Sequence, residues 1–183
     1  MKKVVIFVQG AGANAYQADN ELVTSLKREL GPDYEVKYPR MPNEDYPDEE
    51  AWKARIRQAI AEPEGQVILV GHSAGGYLLL KSLSGAPLTR PVAAICIVAA
   101  PYPGADEQWQ FEGFDLPENF GAKLPKEAKK FLYHSADDEI VPFAHMDYYA
   151  KAIPEALVRK TAGGHQLTGG LSLIAQDIKG LSR

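Results

Sequence analysis

The stretch Val67-Ile68-Leu69-Val70-Gly71-His72-Ser73-Ala74-Gly75-Gly76 decides how the rest of the chain is read. Its first four residues are apolar and mostly β-branched, which predicts a strand covered on both faces. A serine among small residues directly after such a run packs poorly and stabilises little. Gly71-His72-Ser73-Ala74-Gly75 fits G-x-S-x-G, a sharp strand-to-helix turn that lifts the serine hydroxyl above the sheet edge in strained backbone geometry. Side chains two positions to either side would collide with the backbone, so glycine stands there. The nearly all-apolar run 75–83 supplies the helix, whose N-terminal amides aim at charge developing near Ser73. The plain alternative is a glycine turn with an idle serine, and the strand before and helix after weigh against it.

Outward from this turn, β-like and helical patterns alternate. Strands are expected at 3–8, 34–38, 66–70, 91–100, 130–134 and 156–161. Helices are expected between them. The first carries Leu22, Val23, Leu26 and Leu30 on one face and closes at Gly31-Pro32. A second starts at Pro47-Asp48-Glu49-Glu50 and buries Trp52, Ile56, Ala59 and Ile60. Others are expected over 142–153 and 167–181. The fold class is therefore α/β, a three-layer sandwich with a mostly parallel sheet of about six strands, in a single domain spanning 1–183. The segment 101–125 is irregular, with Tyr102, Trp109, Phe111, Phe114 and Phe120 among prolines and glycines, which suggests an ordered loop packed over something.

Composition sets limits. The net charge is -4 with no basic stripe, so a nucleic-acid partner is not expected. The one cysteine, Cys96, lies in an apolar run, which leaves no intramolecular disulfide and no cysteine cluster for zinc. The apolar stretch at 4–8 is too short for a signal peptide, and no run is long enough for a membrane span, so a cytoplasmic location is expected.

A serine nucleophile needs a base, and the base an acid to orient it. Of the four histidines, His72 sits in the turn itself and reads as a structural neighbour. His134 lies within a strand and His145 within a helical stretch. His165, in Ala162-Gly163-Gly164-His165-Gln166 after the last strand, is the best candidate, because open α/β sheets place functional groups in such loops. The acid is expected between serine and histidine, where Asp137 and Asp138 follow a strand and position barely separates them; Asp106 stands further off. The oxyanion donors are expected to be the backbone N–H of Ala74 and, from the loop after the first strand, that of Ala11. That loop, Gln9-Gly10-Ala11-Gly12, lacks the third glycine of a dinucleotide fingerprint and the Gly-Lys-Ser/Thr ending of a P-loop.

With these residues in view, the chain resembles the α/β-hydrolase superfamily, and within it the small serine hydrolases around retinoblastoma-binding protein 9 and their bacterial relatives. The resemblance rests on Gln9-Gly10, Gly71-His72-Ser73-Ala74-Gly75, Asp138-Glu139-Ile140-Val141-Pro142 and Gly164-His165, and covers nearly the whole chain. In that family the acid stands four residues before the proline, which implies Asp138. The resemblance implies a catalytic set of Ser73, Asp138 and His165, with no metal or cofactor, cleaving a small carboxyl ester through an acyl-enzyme. Thioester, amide or peptide cleavage would use the same groups. A non-catalytic binding protein on the same fold and a cyanohydrin lyase are the rivals. Many members carry His-Gly at the oxyanion loop where this chain has Gln9-Gly10, so Gln9 and Gly10 are expected to shape substrate binding. The chain has room for only a minimal lid, 101–125, and a shallow, open site edged by Trp109 and Phe111 is expected.

Overall fold

The computed structural model describes residues 2–110 and 112–181. Six parallel strands form one sheet: β1 (Lys3–Val8), β2 (Tyr34–Lys37), β3 (Val67–His72), β4 (Val92–Val98), β5 (Lys129–Ser135) and β6 (Leu157–Thr161). Their order across the sheet is β2-β1-β3-β4-β5-β6. The central strands are largely apolar because both faces are covered, and the alternation of side chains decides which layer each residue joins. Val4, Ile6 and Val8 of β1, with Val67 and Leu69 of β3, face one layer. It holds α2 (Glu49–Ala61), α3 (Ala74–Gly85), the short α4 (Phe120–Lys123) and α5 (His145–Ala152). Val5, Phe7, Ile68, Val70 and Cys96 face the other, which holds α1 (Ala15–Leu30) and α6 (Ser172–Gly180).

The helices follow from local chemistry. The Asp48 carboxylate accepts the Ala51 N–H at 2.8 Å and caps α2, with Glu49 and Glu50 in its first turn where the helix dipole favours anions. Trp52 is wholly buried from the opposite face, and its Nε1–H donates to the Pro42 carbonyl at 2.7 Å, so the largest side chain of the core leaves no orphan donor.

Two helices start later than their apolar spacing predicts. α5 begins at His145 rather than at 142, because the residues before it form a run of tight turns, His145 N–H to Pro142 O and Met146 N–H to Phe143 O. α6 begins at Ser172 rather than at 167. Leu167 has φ 41°, Gly170 has φ 86°, and the Leu171 N–H donates to Ser25 Oγ of α1 at 3.1 Å. Leu167 and Leu171 are buried all the same, so their helix-like spacing belongs to a folded turn that packs on α1.

Candidate active site

Because every strand runs the same way, the loops after β1, β3, β5 and β6 emerge at one edge of the sheet, where open α/β sheets hold their ligands. Ser73 follows β3 with φ 53° and ψ -128°, a conformation that L side chains rarely adopt. Its N–H is tied to Val98 O at 2.8 Å, so the neighbouring strand fixes the bend. The flanking glycines are compulsory. A β-carbon at Gly75 would overlap the Gln9 carbonyl, and one at Gly71 would come within 2.7 Å of Gly76 Cα. Among the described residues no hydrogen bond holds the Ser73 hydroxyl, and the residue lines a cleft of about 670 Å³ together with His165.

The His165 Nδ1–H donates to Asp138, at 2.9 Å from Oδ2 and 3.1 Å from Oδ1. That contact leaves Nε2 as the nitrogen available to the cleft. The Asp138 side chain is fully buried. Burial opposes its ionisation, but hydrogen bonds from His134, from His165 and from the Val141 N–H outweigh burial and hold the carboxyl well below the usual carboxylate range. The backbone N–H groups of Ile140 and Val141 reach Oδ1 at 2.9 and 2.8 Å, and His134 Nε2 lies 3.2 Å from Oδ2.

The neighbouring carboxylates do other work. Asp137 accepts the Gly163 N–H at 3.1 Å and Glu139 accepts the His165 N–H at 3.2 Å. Three consecutive acids therefore hold one loop, and Asp138 alone among them meets the imidazole. Asp106 lies elsewhere. Its Oδ2 accepts His145 Nε2–H at 2.8 Å, while His145 Nδ1 accepts the Tyr102 N–H at 2.8 Å. That pair fastens the start of the 101–116 segment to α5.

The loop after β1 is equally constrained. The Gly10 N–H donates to Asp19 Oδ2 and the Gly12 N–H to Glu44 O, both at 2.8 Å. The Ala11 N–H between them makes no hydrogen bond among the described residues, and Ala11 and Ala74 both line the cleft. Ala74 opens α3, so no earlier helical carbonyl is available to its N–H.

Gln9 is not where the sequence reading puts it. Its side chain is fully buried and points away from the cleft, with Nε2–H donating to Glu44 at 2.6 Å and Oε1 accepting the Met41 N–H at 3.0 Å. It holds the 38–46 loop in place. Gly10 does line the cleft, but its N–H is already committed to Asp19.

Residues 101–110 and 112–116 form one wall of the site, bringing Trp109, Gly113 and Phe114 to the cleft, with the ring centroids of Phe114 and Tyr77 4.4 Å apart. Phe111 lies outside the described residues. Lys81 pins the wall. Its ammonium reaches Glu49 Oε2 and Asp115 Oδ1 at 2.6 Å each, Tyr77 Oη at 3.2 Å and Gly113 O at 3.4 Å.

Sequence reading missed two groups at the site. Lys81 is the one cation in an otherwise apolar helix. Asp19 stands on the apolar face of α1, three and four positions before Leu22 and Val23. A lone charge on an apolar stripe was the signal in both cases. Asp19 and His72 are each 1% exposed, and Asp19 Oδ2 lies 2.9 Å from His72 Nδ1. His72 Nε2 faces the His165 carbonyl at 3.0 Å. Both ring nitrogens thus face acceptors, which requires two N–H groups and an imidazolium. Burial opposes that charge, but the Asp19 carboxylate outweighs burial and raises the His72 pKa above its ordinary value.

The family model described as serine hydrolase matches residues 16–170. The chain belongs to the serine hydrolase family. Among solved structures it is similar to the ydeN gene product of B. subtilis, at 20% identity and a TM-score of 0.69, over 100% of this chain and 99% of that one. It is also similar to the esterase domain of a Rhodothermus marinus protein (18%, TM-score 0.64, covering 98% and 85%). Est1E from Butyrivibrio proteoclasticus is a further match (14%, TM-score 0.69, covering 99% and 87%). At these identities the likeness concerns the fold, which is that of the α/β-hydrolases. No curated protein matches the chain. Among the described residues, no helix is long and apolar enough to cross a membrane, and no group of three or more His, Cys, Asp or Glu side chains could hold a metal ion.

Proposed function

We propose that this serine hydrolase cleaves small, neutral carboxyl esters through Ser73, His165 and Asp138. The observation that carries the reading is the buried Asp138 carboxylate on His165 Nδ1, in the same cleft as a serine held in strained geometry at a strand-to-helix turn. Ser73 Oγ attacks the ester carbonyl while His165 Nε2 takes its proton. Asp138 holds the ring in the tautomer with a proton on Nδ1 and stabilises the imidazolium that forms. The carbonyl oxygen, now an oxyanion, is received by the N–H groups of Ala11 and Ala74. His165 returns the proton to the departing alcohol, and water, activated by the same nitrogen, releases the acid from Ser73. A free hydroxyl before substrate arrives is compatible with this sequence, because such hydrogen bonds often tighten only in the complex.

The cleft wall suggests the substrate's character. Tyr77, Leu78, Pro101, Trp109, Phe114 and Ile140 offer apolar surface, and no Lys or Arg lines it among the described residues. Its acids are Asp19, Glu49 and Glu112, and the His72 imidazolium at its floor is already matched by Asp19. A neutral acyl group gains burial there, whereas one bearing a carboxylate meets no unmatched counter-charge among the described residues. The similarity to the Rhodothermus marinus esterase domain points the same way.

The test is a panel of p-nitrophenyl esters, with neutral acyl chains of increasing length and one ω-carboxylate chain, assayed on the wild type and Ser73→Ala. The reading expects turnover of the neutral esters, discrimination of at least about tenfold against the carboxylate, and none of this in Ser73→Ala. Equal turnover by Ser73→Ala, or no turnover of any ester by folded protein, would overturn it.

A further inference from the structure

Three loops must keep their relative places for the proposed chemistry: the one carrying the Ala11 amide, the turn carrying Ser73, and the one carrying His165. A single chain of buried hydrogen bonds joins all three. It runs from the Gly10 N–H to Asp19 Oδ2 (2.8 Å), from Asp19 Oδ2 to His72 Nδ1 (2.9 Å), and from His72 Nε2 to the His165 carbonyl (3.0 Å). Asp19 belongs to α1, so the chain of bonds anchors all three loops to a packed helix. The space around it is tight. A β-carbon at Gly10 would sit 3.2 Å from Ser73 Cβ and 3.6 Å from both Asp19 Oδ2 and His72 Nδ1. By holding the Gly10 N–H, Asp19 fixes the peptide immediately before the one that carries the Ala11 amide. The His72 and His165 rings lie 4.9 Å apart, so a displaced His72 shifts the base as well.

We infer that Asp19 and His72 are positioning residues for the acyl transfer, bracing the oxyanion loop and the histidine loop against the nucleophile turn. The inference rests on the proposed triad but concerns residues that the triad does not include. Neither side chain touches the reacting atoms. Their work is to keep donors and base within the fraction of an ångström that catalysis requires, and a displacement of about 1 Å can cost 100-fold in rate.

The experiment compares wild type, Asp19→Ala and Asp19→Asn with a neutral p-nitrophenyl ester, each rate normalised to active sites titrated with a fluorophosphonate. For Asp19→Ala we expect kcat per titrated site to fall roughly 10- to 100-fold with KM within about threefold, because loop placement matters most in the transition state. Asp19→Asn keeps an oxygen for the Gly10 N–H and an amide to bond a neutral His72, and it should recover most of the lost kcat. A purely structural Asp19 would lower the melting temperature and leave kcat per titrated site at the wild-type value, and that result would overturn the inference. Should Asp19→Ala fail to fold, Asp19→Asn/His72→Leu buries no charge and cuts the link to the His165 carbonyl. A kcat loss of tenfold or more is expected of it, and an unchanged kcat overturns the brace. Wild-type protein that turns over no ester overturns the triad and the brace together. Wild-type turnover matched by Asp19→Ala overturns the brace alone.

Discussion

The loops that carry Ser73, Asp138 and His165 face the 101–116 segment across one cleft, yet the two sides are held by different means. The side proposed to carry the chemistry is fixed through its backbone. Ser73 N–H is bonded to β4, Gly163 and His165 N–H to carboxylates, and the N–H groups of Ile140 and Val141 to Asp138. The wall is irregular chain held largely by side chains reaching out of helices, Tyr77 and Lys81 from α3 and His145 and Tyr149 from α5. The difference separates two tasks. Chemistry sits on backbone geometry that the sheet edge dictates, and the shape of the pocket hangs on side-chain tethers that a point substitution can cut.

The sharpest way to break the comparison is on the catalytic side. Asp138→Asn preserves size but presents an amide to His165, and kcat should fall by about 10³-fold or more with little change in KM, read by steady-state kinetics. A fall confined to KM would place Asp138 with the wall rather than with the chemistry. Gly75→Ala asks whether the turn is as unyielding as it looks. Its β-carbon must displace the Gln9 carbonyl, and a stability loss of about 3 kcal/mol or more is expected from the urea midpoint at constant m. A variant of wild-type stability would mean that the β1 loop gives way.

On the wall, Lys81→Met removes the ammonium that ties Gly113 and Asp115 to Tyr77 and Glu49. Glu49 retains Lys53 at 3.4 Å, and the Asp115 side chain is 75% exposed, so neither acid is stranded in the core. A stability loss of about 1–3 kcal/mol is expected. KM for a neutral ester should rise about 3- to 10-fold while kcat stays within about twofold. A large fall in kcat would show that the two sides are not separable.

The smallest effect is a matter of pH. Asp19 sits below its ordinary 3.8 in the folded chain: burial opposes this, and His72 outweighs it. Its contribution to stability is therefore complete above 3.8 and is lost as pH falls through the lower folded value. His72 sits above its ordinary 6.5, so its contribution is complete below 6.5 and is lost as pH rises through the raised folded value. Urea midpoints for wild type and Asp19→Asn should differ most between those two ordinary values and converge on either side. A difference that keeps growing above pH 8 would contradict the ion pair.

The same contrast explains what could be read from the sequence. The turn at Ser73 and the edge it stands on were legible because their constraints are local. A strand, a glycine-flanked turn and a helix leave a spelling at 67–76, and loops after parallel strands must gather at one edge. The choice between Asp137 and Asp138 was not local, since both follow β5 and only the path of the 162–166 loop decides which one meets the imidazole. The resemblance supplied Asp138, and the hydrogen bonds at 2.9 and 3.1 Å place it there. Gln9 was misplaced because a polar residue beside a catalytic loop looks like a ligand contact until its partners, Glu44 and Met41, are known. Asp19 and Lys81 were visible only as single charges on apolar helix faces, and their partners lie up to 53 positions away in the chain. The 167–171 run mimicked a helix because buried leucines four apart suit a turn packed on α1 as well as they suit a helix.

The most direct test of the account treats the protein with a fluorophosphonate and locates the adduct by mass spectrometry, with His165→Ala alongside. The account predicts a single adduct on Ser73 of the wild type and labelling slowed by at least about 100-fold in His165→Ala. Equal labelling of the two proteins, or an adduct on a different residue, would contradict the claim that His165 activates Ser73.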